Sequence, residues 1–153
     1  MNLYADSSFI VASRVPHDTF HQAALEFYAG HEEESWLWSP WHRVEVLNTI
    51  RQLTRNKDRK RGLTEGDARS LIHRIEADVR LGYFRHIEVD WRDVLRTASK
   101  ISQENAFARV CPGTDLLHVA YAREVNADLF VGFDDDQFLL ASAAGLKTIN
   151  PDQ

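Results

Sequence analysis

The fold is decided by the stretch NLYADSSFIVAS at positions 2–13. Its first four residues form a short apolar run that predicts a buried strand, and the two serines that follow predict the start of a helix. Asp6 stands at the junction of the two. The stretch therefore predicts the first strand of an α/β sheet, with an acidic side chain directly after its carboxyl end.

The order of a strand followed by a helix recurs along the chain. Short apolar runs at 35–39, 84–89, 128–133 and 146–149 predict further strands, and residues at helical spacing predict helices between them. Strands that alternate with helices form a parallel sheet covered by helices on both faces. With 153 residues, the chain is predicted to be one α/β domain spanning residues 1–153.

Composition excludes several classes of protein. Hydrophobic residues make up 44% and charged residues 27%, which excludes an intrinsically disordered chain. No apolar run approaches the roughly 20 residues of a membrane span, and no basic stretch precedes a signal-type core, so we expect a cytoplasmic protein with no membrane contact. The single cysteine, Cys111, excludes an internal disulfide and a multi-cysteine zinc site.

Three aspartates are predicted to meet at one edge of the sheet. Asp6 and Asp134 each follow a predicted strand, and ligands of such sheets bind beyond the carboxyl ends of the strands, where strand order reverses. Asp115 lies in the first turn of an apolar helix that Thr114 is predicted to cap. Each aspartate taken alone fits equally well as a helix cap.

A fourth acid, Glu45, lies on a helix that follows the predicted strand at 35–39. It is next to the stripe of Val44, Leu47 and Ile50 that we expect to face the core, so it lies near the seam between the buried and solvated faces. From there its side chain can reach the same cleft. Taken alone, it is better explained as an exposed helical residue.

A cluster of four carboxylates needs compensating positive charge. Two like charges about 4 Å apart repel by about 4 kcal/mol at the effective dielectric constant of a protein surface. None of the four acids has a lysine or arginine next to it in the sequence, so compensation comes from shared protons or from a divalent cation. An all-oxygen, histidine-free set favours Mg²⁺ or Mn²⁺ over zinc, and such ions recruit phosphodiesters.

Positive charge is concentrated in the segment RQLTRNKDRKR at 51–61. Its six basic residues and one acid give a charge of +5, which leaves −10 on the remainder of a chain whose net charge is −5. The segment is predicted to contact a nucleic-acid backbone, or to be a plain solvated loop. Its basic residues are Arg51, Arg55, Lys57, Arg59, Lys60 and Arg61.

Other polar residues near the acids are predicted to have structural roles. Ser7 and Ser8 lack the surroundings of a nucleophilic serine and are assigned to a helix start. His118 lies one turn after Asp115 inside an apolar helix, which is more typical of a core histidine than of a catalytic group.

Four motifs together resemble the PIN-domain nucleases, and among them the compact VapC-type toxins. The motifs are YADSSFI, HRVEVLNTI, GTDLLHVAYA and FVGFDDDQFLLASAAGLKTI. The resemblance implies a three-layer α/β/α fold with a mainly parallel central sheet, a homodimer, and inhibition by a small antitoxin protein. It also assigns metal coordination and catalysis to Asp6, Glu45, Asp115 and Asp134.

The sequence departs from the family pattern at two places. Gly132 stands where many relatives carry a Thr or Ser, so a supporting hydroxyl is expected to be absent. The run of Asp134, Asp135 and Asp136 leaves the fourth metal ligand open: Asp134 is favoured, Asp136 is the alternative, and Asp135 is expected to face solvent.

The function predicted from these observations is a metal-dependent endoribonuclease that uses Mg²⁺ or Mn²⁺ and is the toxin of a toxin–antitoxin pair. Two alternatives stay open. One is a PIN nuclease that processes RNA or cleaves DNA without an antitoxin, and the other is an inactive PIN-like module that binds protein or RNA.

Overall fold

A computed structural model of the protein describes residues 1–56 and 62–153. Its five strands form one sheet in the order β3-β2-β1-β4-β5, and every neighbouring pair is parallel. The strands are β1 (Asn2–Ala5), β2 (Ser35–Trp38), β3 (Phe84–His86), β4 (Leu129–Val131) and β5 (Thr148–Ile149). The prediction of a mainly parallel sheet is confirmed.

The helices begin close to the predicted positions. They are α1 (Ser7–Arg14), α2 (His21–Gly30), α3 (Pro40–Leu53), α4 (Glu65–Leu81), α5 (Trp91–Asn105), α6 (Gly113–Glu124) and α7 (Asp135–Ala143). The side chains of Thr64 and Asp90 cap α4 and α5. The predicted cap at Thr114 is wrong, because α6 already starts at Gly113 and no side chain caps it.

The two faces of the sheet carry separate cores. Leu3 and Ala5 of β1 point into a cluster built with α1, α2, α3 and α4, whereas Tyr4 points into a second cluster built with α5, α6 and α7. This alternation follows from the two-residue period of a strand. The three-layer α/β/α architecture is therefore confirmed.

The buried face of α3 differs from the predicted stripe. Val44 is 59% exposed, whereas Val46 is fully buried together with Leu47 and Ile50. The prediction that Val44 faces the core is wrong, because the inward face includes positions 42, 46 and 50, which are four residues apart. Glu45 is half-buried at the edge of this face, as the position in the helix suggested.

The strand order reverses between β1 and β4. From the central strand β1 the chain builds β2 and β3 on one side, and later β4 and β5 on the other. A crevice beyond the carboxyl ends of two such strands is the usual ligand site of an open α/β sheet.

Among the described residues, no helix has the length and apolar character needed to cross a membrane.

Candidate active site

The four predicted acids line one pocket at the point where the strand order reverses. The pocket has a volume of about 160 Å³. Its lining residues are Asp6, Ser7, Ser8, Glu45, Asp115, His118, Asp134 and Gln137. We call it the acid pocket. None of its lining residues is a lysine or an arginine, so His118 is the one lining side chain whose positive charge can oppose that of the carboxylates.

Asp6 is the most deeply buried of the acids, with 5% of its surface exposed. Its Oδ1 accepts a hydrogen bond from the backbone N–H of Phe9 at 2.7 Å, and its Oδ2 accepts one from the hydroxyl of Ser8 at 2.7 Å. Burial raises the pKa of Asp6 to about 6, although both hydrogen bonds oppose the rise. The carboxylate is therefore held in one orientation at the start of α1.

Gly132 is explained by the closeness of Asp6. A Cβ at position 132 would lie 3.2 Å from both Cγ and Oδ2 of Asp6, closer than most such contacts in proteins. A Thr or Ser there would press against the carboxylate. The expected loss of a supporting hydroxyl at position 132 is offset, because the hydroxyl of Ser8 donates a hydrogen bond to Asp6.

Asp115 and Asp134 approach the pocket from α6 and α7. Asp134 caps α7, and its Oδ1 accepts the backbone N–H of Gln137 at 3.2 Å. The side-chain amide of Gln137 in turn donates to Oδ1 of Asp115 at 3.3 Å. Burial, followed by the negative charge of Asp134, raises the pKa of Asp115. The two acids are therefore close enough to repel each other.

Glu45 is held by His118, which is only 2% exposed. Nε2–H of His118 donates to Oε2 of Glu45 at 2.5 Å, and its Nδ1 lies 2.8 Å from the hydroxyl of Tyr4. Burial raises the pKa of Glu45, but the hydrogen bonds from His118 and Ser7, together with the charge of His118, outweigh this and keep the pKa below its usual value. Tyr4 and His118 thus orient Glu45 from inside the core.

Sequence reasoning missed three residues that hold the acids: Ser8, His118 and Gln137. His118 is buried as predicted, but it contacts Glu45 rather than only core residues. Two signals were present, because His118 follows Asp115 by three residues and Gln137 follows Asp134 by three. Residues at this spacing lie on the same face of a helix.

The other predicted residues lie outside the acid pocket or outside the described chain. Asp135 and Asp136 are both exposed and neither lines the acid pocket, although Asp135 lines a neighbouring cavity. Arg51 and Arg55 are exposed at the end of α3 and just beyond it. The remaining basic residues, Lys57, Arg59, Lys60 and Arg61, lie outside the described residues.

The donor set of the acid pocket suits a hard divalent cation. Within 1–56 and 62–153, no group of three or more His, Cys, Asp or Glu side chains forms a ready-made metal site. The pocket nevertheless offers carboxylates from four positions and the Oε1 of Gln137, a buried oxygen without a hydrogen-bond partner. Mg²⁺ and Mn²⁺ prefer oxygen ligands, and Mg²⁺ keeps several waters that can donate to such an oxygen.

Solved structures share this architecture over nearly the whole chain. A chain of the FitAcB structure from Neisseria gonorrhoeae matches with a TM-score of 0.70 and 15% identity, over 99% of both chains. VapC20 of Mycobacterium tuberculosis, a sarcin–ricin loop cleaving toxin, matches with a TM-score of 0.66 and 21% identity, over 94% of this chain and 95% of that one. The VapBC2 structure from Rickettsia felis, bound to a promoter DNA fragment, matches with a TM-score of 0.66 and 16% identity, over 98% of both.

The chain has a PIN-like fold of the VapC type. The sequence matches no protein-family model and no curated protein, so the PIN-like fold is evident from the structure rather than from overall sequence similarity. The resemblance that the four motifs suggested is confirmed at the level of the fold. In this PIN-like fold the acid pocket occupies the crevice between β1 and β4.

Proposed function

We propose that this protein is an endoribonuclease that hydrolyses RNA phosphodiester bonds with Mg²⁺ or Mn²⁺, and that it is the toxin of a toxin–antitoxin pair. The acid pocket carries the proposal, because four carboxylates with no lysine or arginine among the lining residues lie where open α/β sheets bind their ligands. The structural likeness to VapC20, a sarcin–ricin loop cleaving toxin, supports a cleaving activity.

In this proposal Asp6, Glu45, Asp115 and Asp134 hold the ion. A bound divalent ion stabilises charge on the phosphate oxygens and makes a water nucleophilic near neutral pH. The protein contributes fixed geometry: Ser8 and the start of α1 hold Asp6, and His118 holds Glu45. Because these supports come from the protein itself, the carboxylates are positioned before a substrate arrives.

The first prediction concerns His118. His118→Leu removes the N–H that orients Glu45, and the loss of such a supporting contact typically lowers metal affinity or activity by about 10- to 100-fold. We expect the Kd for Mn²⁺, measured by calorimetry, to rise within this range. His118→Gln keeps an N–H donor and is expected to retain most of the affinity.

His42 provides the matched control for this prediction. It is a second buried histidine, but it hydrogen-bonds to the backbone of Ser39 and Ala5 and not to an acid. His42→Gln is therefore expected to lower thermal stability and leave the Kd for Mn²⁺ unchanged. Equal loss of Mn²⁺ affinity in His118→Leu and His42→Gln would show that His118 acts only through core packing.

The second prediction concerns the basic segment. We propose that its cationic side chains contact RNA on either side of the cut. These residues are Arg51, Arg55, Lys57, Arg59, Lys60 and Arg61. Support comes from α3, because Glu45 and Leu53 line the same cavity of about 290 Å³ and the segment spans the end of this helix. Replacing Lys57, Arg59, Lys60 and Arg61 by Gln is expected to reduce the slope of log K against log salt by up to about 3. Fluorescence anisotropy with single-stranded RNA measures this slope.

A control that removes two positive charges elsewhere on the surface separates specific contact from overall charge. Arg92 and Arg96 are exposed on α5 and pair with Asp90 and Asp93. Replacing both by Gln is expected to leave the salt dependence of RNA binding unchanged. An unchanged slope in the variant of the basic segment would indicate that the segment is a solvated loop that does not contact RNA.

A cleavage assay with and without chelator tests the proposed activity. Purified protein is expected to cleave RNA in Mg²⁺ or Mn²⁺ and to lose all cleavage in EDTA. Cleavage of single-stranded DNA in place of RNA would favour the alternative nuclease, and binding of RNA without cleavage in any metal would favour the inactive binding module. Cleavage that persists in EDTA contradicts the proposal.

The toxin assignment needs a test of its own. The structurally similar FitAB, VapBC-1 and VapBC2 structures are complexes, which supports a small antitoxin partner for this chain. Expression of the protein in bacteria is expected to arrest growth, and co-expression of a short adjacent gene is expected to relieve the arrest. Active protein without growth arrest would favour an RNA-processing nuclease.

We also propose a homodimer, for which light scattering is expected to give twice the chain mass of 17.6 kDa.

A further inference from the structure

A second and larger cavity adjoins the acid pocket. Its volume is about 560 Å³, within the range of about 300–1,000 Å³ that is typical of small-ligand sites. Its lining residues are Ser8, Asp18, Thr19, Phe20, Phe133, Asp134 and Asp135. Ser8 and Asp134 line both cavities, so a group bound here lies next to whatever the acid pocket holds.

A column of stacked aromatic rings runs from the core to this cavity. Trp36 stacks on Phe9 at 5.4 Å, Phe9 on Phe133 at 5.8 Å, and Phe133 on Phe20 at 4.4 Å, with angles of 10°, 25° and 9° between the ring planes. Trp36 and Phe9 are buried, whereas Phe133 and Phe20 are half-buried. Among the described residues, Phe20 stacks on no further ring. The column therefore ends at a ring that lines the cavity.

The polar lining of the cavity accepts hydrogen bonds. Oδ1 of Asp18 accepts the backbone N–H of Phe20 at 2.9 Å, which fixes the Asp18 carboxylate beside the last ring of the column. Asp135 adds a second carboxylate outside the acid pocket, and neither lysine nor arginine lines the cavity. An ionised carboxylate only accepts hydrogen bonds. A ligand that stacks on Phe20 must therefore present donors at the edge that faces Asp18.

We propose that this cavity binds the RNA base next to the cleaved phosphate and selects guanine; the inference rests on the proposed RNA cleavage. The base stacks on Phe20, and its Watson–Crick edge faces Asp18. Guanine carries two adjacent donors there, N1–H and the 2-amino group, which match the two oxygens of a carboxylate. Uracil presents one N–H between two carbonyl oxygens, which the carboxylate repels. Adenine and cytosine each present one amino group beside an acceptor nitrogen.

Free nucleosides test the site without metal or cleavage. Guanosine, adenosine, cytidine and uridine are titrated into the full-length protein in EDTA and followed by NMR chemical shifts. We expect guanosine to bind at least tenfold more tightly than uridine. Phe20→Leu is expected to weaken guanosine binding by about 5- to 100-fold, in line with measured stacking contributions. Asp18→Asn keeps the turn to Phe20 but is expected to abolish the preference for guanosine.

Phe107 provides the matched control for loss of an aromatic ring. It is fully exposed between α5 and α6 and lines neither cavity. Phe107→Leu is expected to leave nucleoside binding unchanged, and thermal unfolding checks that Phe20→Leu remains folded. Equal affinity for all four nucleosides overturns the guanine assignment, and unchanged binding in Phe20→Leu overturns the base site.

Cleavage of a randomised RNA in Mn²⁺ gives the second readout. Sequencing of the products is expected to show guanine enriched beside the cut, and Asp18→Asn is expected to lose this enrichment while it still cleaves. Cleavage without enrichment overturns the assignment even if guanosine binds. Guanosine binding in a protein that cleaves no RNA refutes the proposed nuclease and leaves a guanine-binding cavity.

Discussion

Asp115→Asn is expected to lower kcat for RNA cleavage by about 1,000-fold or more. The variant keeps the Oδ1 atom that accepts from Gln137, so the local structure is retained, but it removes one negative charge from the proposed ion site. Metal ions contribute several kcal/mol to stabilising the transition state, and each 1.36 kcal/mol is a factor of ten in rate. Single-turnover cleavage of a labelled RNA in Mn²⁺ measures the loss.

A pair of variants on α7 makes this prediction specific. Asp134 and Asp136 are both exposed, but only Asp134 lines the acid pocket. Asp134→Asn is expected to lose cleavage as Asp115→Asn does, and Asp136→Asn is expected to stay within about threefold of the wild type, since it alters only a weak helix-dipole contribution. The opposite pattern would make Asp136 the fourth ligand, and active Asp115→Asn protein would contradict the proposed site.

The position of the acid pocket was predictable because it depends on local signals and one topological rule. Short apolar runs identified the strands, and Asp6 and Asp134 stand just beyond the ends of β1 and β4. Parallel sheets with helices on both faces bring such ends together where strand order reverses. The helical period showed only that Glu45 could reach the cleft, and the family resemblance was needed to favour it over an exposed helical residue. The predicted inward stripe was itself shifted, from Val44 to Val46.

The supports of the acids were harder to predict, because they come from pairs that are distant in sequence. His118 and Glu45 are 73 residues apart, and Tyr4 and His118 are 114 apart. Hydrophobic periodicity indicates that a histidine is buried, but it does not indicate which polar group it meets. The same reason applies to the contact of Phe20 with Phe133, which links the start of α2 to the residue before Asp134.

Asp6→Asn is expected to stabilise the metal-free protein while it abolishes cleavage. Burial raises the pKa of Asp6 from 3.8 to about 6, so ionising this side chain in the folded protein costs about 3 kcal/mol relative to the unfolded chain. Asn carries no charge and caps helices as well as Asp, and its Oδ1 can accept the N–H of Phe9 while its NH2 group donates to the hydroxyl of Ser8. The substitution therefore removes a destabilising charge and keeps the contacts that hold it.

The gain in stability of Asp6→Asn over the wild type is expected to depend on pH. Between pH 3.8 and about 6 the folded protein binds more protons at Asp6 than the unfolded chain does, so stability falls as pH rises through this window. The gain in Asp6→Asn is thus expected in full above about pH 7, as a rise in Tm of about 6–12 °C, and it is expected to vanish below about pH 4. Thermal unfolding in EDTA at several pH values measures it.

Added metal should reverse the order of the two proteins. A ligand that binds only the folded state stabilises it in proportion to the logarithm of its concentration over Kd. Saturating Mn²⁺ is therefore expected to raise the Tm of the wild type and to leave that of Asp6→Asn nearly unchanged. If the wild type is as stable as the variant in EDTA at pH 7.5, then Asp6 is not a strained buried charge. If Mn²⁺ stabilises both proteins equally, the ion binds elsewhere, and the acid pocket loses its proposed role.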